Sequence, residues 1–94
     1  MITSVILNKE QGKTFASFFI SEEQAKENLK NLTKVRSKEL FTFNDFLSFK
    51  GITFDFRGKK YKSVKGLLKA ELEFVKNNYP RDLRHYSNVL NLFK

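Results

Sequence analysis

Eight of the seventeen residues from Leu40 to Phe56 are Phe or Leu, and this crowding restricts the fold more than any other feature of the chain. Side chains of that size must leave water, and burying each phenylalanine contributes about 2 kcal/mol. A chain of 94 residues with no cysteine has no disulfide to supplement a small core, so packed aromatic side chains must hold it together. Any of the eleven Phe that a small sheet left uncovered would form an apolar docking patch for a protein partner or a second copy. Phe46 and Phe49 are the candidates for that secondary interface.

Apolar periodicity organises the rest of the chain. Thr3 to Asn8 and Thr14 to Ile20 read as strands of a hairpin turning at Lys9-Glu10-Gln11-Gly12. Ser21, with Gln24 three residues on, forms a capping box, and Ala25, Leu29, Leu32 and Val35 give the following helix one apolar stripe. Lys26, Glu27, Lys30 and Lys34 form its solvated face. Residues 36–51 have no clean period. Either Leu40 to Phe43 is a strand, or Asn44 caps a short helix that runs through Phe49 and stops at Gly51.

Ile52 to Phe56 alternates apolar and polar residues strictly, with Asp55 on the wet face; Arg57-Gly58 is a tight turn, and Lys59 to Lys62 leads back. Ser63 caps a helix to Asn78 that carries Val64, Leu67, Leu68, Leu72, Val75 and Tyr79 on one face. Pro80 ends that helix and begins a third, with Leu83, Tyr86, Leu90 and Phe93 facing inward. The expected fold is one α+β domain over residues 1–94, in the order ββα-ββα-α. A small antiparallel sheet of two hairpins carries helices on one face.

Chemistry that would make this chain an enzyme is sparse. His85 is the one histidine, placed off the apolar stripe of its helix, and reads as a surface residue. No Ser-His-acid spacing, metalloprotease HExxH or phosphate-binding GxxxxGK[ST] occurs, and the carboxylates are scattered. Glu71 falls within an apolar stripe, where it is expected to reach solvent or pair with a lysine. The expectation is a non-enzymatic binding protein with no cofactor and no metal. The first residues lack the basic start and long apolar run of a signal peptide, and no stretch has the apolar length of a membrane span. A cytoplasmic protein is expected.

Charge is the strongest functional signal. The formal net charge is +8, and it is unevenly placed. Residues 1–49 carry seven basic and six acidic groups, whereas residues 50–94 carry eleven against four. Phe, Ile, Asn, Lys, Tyr and Met far outnumber Gly, Ala, Arg and Pro, the mark of an AT-rich gene, but codon bias alone would spread the lysines evenly. From Arg57 to Lys69 there are six positive charges and no acid.

A turn bearing Arg57, Lys59, Lys60, Tyr61 and Lys62 would lie near a helix edge bearing Lys65, Lys69 and Lys76, which fall within about 40° of one another. Such a surface suits a phosphate backbone, bound through counterion release, with Tyr61 able to stack a base. Lysine lacks the forked geometry of arginine, so backbone contact without sequence readout is expected.

The first functional reading is thus a protein of nucleic-acid-handling machinery that contacts nucleic acid or a nucleoprotein complex. The alternative is a small inhibitor or adaptor of phage or mobile-element type that binds a host protein. A homodimer through the Phe-rich segment is a third. Arg81, Arg84, His85, Asn88 and Asn91 would be the exposed readers if the last two helices formed a helix-turn-helix.

Overall fold

The structure, a computed structural model, describes residues 2–30 and 37–92. Leu32, Lys34, Val35 and Phe93 lie outside the described residues. β1 (Ser4–Glu10) and β2 (Lys13–Phe19) form the first hairpin, paired from Ser4↔Phe19 to Glu10↔Lys13. Its two connecting residues, Gln11 and Gly12, have φ of 51° and 76°. This mirror-image turn matches the right-handed twist of a two-stranded ribbon. The helix α1 (Glu22–Lys30) begins at the expected cap, with the Gln24 amide donating to Ser21 Oγ at 3.1 Å.

Both readings of the Phe-rich connector are realised, one after the other. β3 (Ser37–Thr42) pairs antiparallel with the free edge of β1, giving the strand order β2-β1-β3. The helix α2 (Phe43–Leu47) starts at once, capped by Thr42 rather than Asn44: Thr42 Oγ1 accepts from the Asp45 amide at 3.1 Å. It ends before Phe49, where the Ser48 amide bonds back to Asp45 and Phe46. A strand and a helix within eleven residues leave neither period a window long enough to show.

The second hairpin consists of β4 (Phe54–Phe56) and β5 (Lys59–Tyr61), again with a two-residue turn at positive φ, 50° for Arg57 and 82° for Gly58. The helix α3 (Val64–Asn78) follows, with Ser63 Oγ accepting from the Gly66 amide at 3.1 Å. Pro80–Tyr86 is a 3₁₀ segment, and α4 (Ser87–Leu92) completes the described chain.

The expected α+β class, with small antiparallel sheets and helices packed on them, is the one observed. Two details differ. The hairpins form separate sheets of three and two strands, and the link between them is a side chain. Asp55 Oδ2 accepts the Thr14 amide at 2.9 Å, so a carboxylate takes the place of a ladder carbonyl at the edge of β2. Asp55 is therefore not on a wet face; its side chain is 11% exposed.

The other detail is that helices cover both faces of the larger sheet. Strand alternation turns Val5 and Leu7 toward one side and Ile6 toward the other. Val5 and Leu7 join the main core with Ile2, Phe43, Phe46, Phe54, Val64, Leu67, Leu68 and Val89. Ile6 and Ala25 are equally buried but lie outside that cluster, because α1 packs across all three strands on the opposite face. The main core draws on both halves of the chain, and the Asn88 side chain closes it by donating to the Ile2 carbonyl at 3.2 Å.

The C-terminal register also shifts. Val89 is fully buried, while Leu90 is 37% exposed. A 3₁₀ segment advances about 120° per residue instead of about 100°. Seven residues of it rotate the phase of α4 and turn Val89, not Leu90, inward. The same seven residues rule out a regular recognition helix, and Asn88 is occupied by the Ile2 carbonyl, so the helix-turn-helix arrangement is not formed. Among the described residues no helix is long and apolar enough to cross a membrane.

Candidate nucleic-acid interface

The basic residues of the second half occupy two flanks of α3 rather than one surface. Lys65, Lys69 and Lys76 are exposed and line one edge of the helix. Arg57 sits over Phe74, its guanidinium carbon 4.1 Å from the ring centroid. At 100° per residue Phe74 is roughly 140° to 180° around the helix from the lysines. The hairpin tip and the lysine row are thus separated by the solvent face of α3, which bears Glu73 and Asn77. Lys59, Lys60 and Lys62 are exposed on the hairpin side and the approach to α3.

These cations have few partners. Among the described residues the ion pairs within 4 Å are Lys26–Glu22 and Lys60–Asp55, the latter at 3.8 Å. Asp55 is already committed to Thr14, and Glu71 is turned inward. Half of the acids in residues 50–94 are consequently spent on interior donors, Glu73 and Asp82 are the exposed ones, and Arg57, Lys59, Lys62, Lys65, Lys69 and Lys76 form no ion pair within 4 Å among the described residues.

Among the described residues Glu71 pairs with no lysine. Its Oε1 accepts from the Tyr86 hydroxyl at 3.2 Å, tying α3 to the 3₁₀ segment. Burial raises the Glu71 carboxyl above the usual carboxylate range, against the opposing pull of the Tyr86 hydrogen bond and the nearby Arg57 charge. Burial and the adjacent Glu71 also push the Tyr86 phenol up, so it stays a donor.

Several candidate contacts change place. Tyr61 is half-buried, packed against the core and Phe56, and lines a hollow beside Arg57 and Lys59. Phe46 is completely enclosed, with edge contacts to Phe18, Phe49 and Phe54, so it offers no interface; Phe49 is half-buried against Phe41. The connector's Phe residues are used up because β3 brings Phe41 into the sheet and α2 turns Phe43 and Phe46 beneath it. Arg81 and Arg84 are exposed, and His85 is half-buried.

Further aromatic groups lie beside the cations. Phe56 contacts Phe74 at 6.0 Å between centroids, Phe74 contacts Tyr79 at 5.9 Å, and Tyr79 is 56% exposed. A hollow of about 270 Å³ on one side is lined by Phe56, Arg57, Lys59, Tyr61, Ala70 and Glu73. On the other, Asn78, Tyr79, Pro80, Arg81 and Asp82 line one of about 380 Å³. Tyr79 was legible only as a core position of the α3 stripe; it escapes the core because the helix ends at Asn78.

A non-glycine residue such as Arg57 in the left-handed region costs about 1–2 kcal/mol, and an exposed cation–π contact returns about 0.5–1 kcal/mol. The first hairpin meets the same requirement with the neutral Gln11. Stability alone therefore does not ask for an arginine at this turn.

No protein-family model matches the chain, and no curated protein or solved structure matches it either. The fold and site define a small α+β protein with exposed basic side chains on both flanks of α3.

Proposed function

We propose that this protein is a non-enzymatic nucleic-acid-binding protein that holds the phosphate backbone through the cations around α3. The observation that carries this reading is the set of exposed lysines and arginines around α3 that form no ion pair within 4 Å among the described residues, while Asp55 and Glu71 bond interior donors and Glu73 and Asp82 are the exposed acids nearby. Phosphates reward such a surface by releasing condensed counterions, with no need for a particular base sequence. The lysine row spans about 16 Å along α3, from Lys65 to Lys76 at 1.5 Å per residue, enough to follow several phosphates.

Electrophoretic retention of a mixed-sequence oligonucleotide at low salt, lost steeply as salt rises, is the expected result. Reversing Lys65, Lys69 and Lys76 to Glu should abolish it. Absence of retention by the folded wild-type protein at low salt would overturn the reading.

The same cations would also suit an acidic groove on a host protein or nucleoprotein complex, the inhibitor or adaptor reading. A pull-down after nuclease treatment separates the two. Recovery of one stoichiometric protein without nucleic acid supports the adaptor, and loss of all captured material supports direct nucleic-acid binding.

A further inference from the structure

On the reading that the basic surface binds nucleic acid, we infer that Arg57 and Tyr79, joined through Phe74, form a base-stacking platform that makes the protein a binder of single strands. The guanidinium of Arg57 lies over Phe74, and Tyr79 makes a T-shaped contact with the same ring, so both exposed groups are held against Phe74. Each contacts the Phe74 ring and is exposed to solvent as a residue. Arginine planes and tyrosine faces are the surfaces on which unpaired bases stack, without regard to sequence.

Flanking cations suit the phosphates of the same strand. Lys59 shares the hollow beside Arg57, and Arg81 shares the one beside Tyr79. Glu73 and Asp82 line these hollows as well and act against a phosphate there, which leaves stacking as the source of preference at this site. A duplex hides its base faces in the stack and can use only the lysine row. The two flanks of α3 thus divide the work: lysines take backbone of either kind, and the Arg57–Tyr79 flank selects strands with free bases.

The test is fluorescence anisotropy at one low salt concentration with two labelled probes, an oligothymidylate and a duplex of equal phosphate count. The wild type should bind the single strand more tightly. Tyr79→Ala should weaken single-strand binding roughly tenfold, in line with the loss of one stacked base, and leave duplex binding within about twofold. Arg57→Lys, which keeps the charge and removes the plane, should act in the same selective way. Tyr79→Phe should retain the affinity. Because the chain has no Trp and three Tyr, oligothymidylate should also quench tyrosine emission, and Tyr79→Phe should remove much of that quenching. Tyr79→Leu substitutes for the alanine variant if circular dichroism shows that the latter is unfolded.

Equal losses on both probes, or an unchanged single-strand affinity in the Tyr79 variants, would overturn the platform while leaving phosphate binding by the lysine row intact. Failure of the folded wild type to bind either probe would overturn both proposals together.

Discussion

Glu71 shows how one side chain is governed by its surroundings rather than by its place in a pattern. It falls in an apolar stripe, and the fold keeps it there by giving it the Tyr86 hydroxyl and the nearby charge of Arg57. Removing the hydroxyl, as in Tyr86→Phe, should cost about 1 kcal/mol, read as a lower midpoint in urea unfolding. The sign of the pH effect follows from burial. A carboxyl raised above its unfolded value contributes stability that is fully present below the unfolded pKa and is lost as pH rises through the folded one. Glu71→Gln, which retains an acceptor for Tyr86, should therefore raise the thermal midpoint at pH 7. That advantage should vanish as the pH is lowered past the ordinary carboxylate range.

At the scale of elements, two joints decide how the pieces meet. Asp55 supplies the carbonyl that β4 cannot, bonding the Thr14 amide on β2 and binding the small hairpin to the larger sheet. Asp55→Ala should cost about 2 kcal/mol and speed hydrogen exchange at Thr14, since a charge-assisted hydrogen bond at a shielded position is lost. The second joint is the 3₁₀ segment from Pro80 to Tyr86, which sets the phase of α4. Val89→Ala should destabilise by about 2 kcal/mol, whereas Leu90→Ala should stay within about 0.5 kcal/mol. Equal effects in thermal unfolding would mean that the segment continues as regular α-helix. The sequence contained the end of α3, because Pro80 marks it; it did not contain the change of helical pitch, which has no residue signature of its own.

Across the whole molecule, charge and aromatic burial settle the surface. Much of the fold was legible: both hairpins, both Ser caps and the apolar face of α3 follow from spacing and turn chemistry. The basic residues were legible too, but their division between two flanks was not, because it depends on which side of α3 the second hairpin packs. The aromatic partners were legible least. Tyr61 sits in the turn sequence and yet is half-buried, while Tyr79 sits in a core pattern and yet is exposed. If the lysine row binds phosphates, Lys69→Ala should lower the slope of log affinity against log salt by about 0.7 to 0.9, one contact's share. Tyr79→Ala should leave that slope unchanged.

The sequence by itself determined the local elements, the aromatic nature of the core and the sign and location of the charge along the chain. These depend on neighbours a few residues apart, where turn geometry, capping and periodicity act. The tertiary structure alone decided that β3 pairs with β1, that helices cover both sheet faces, and that Asp55 and Glu71 accept from interior donors. Those outcomes depend on contacts between residues far apart in sequence, and local physical preference does not choose among such partners.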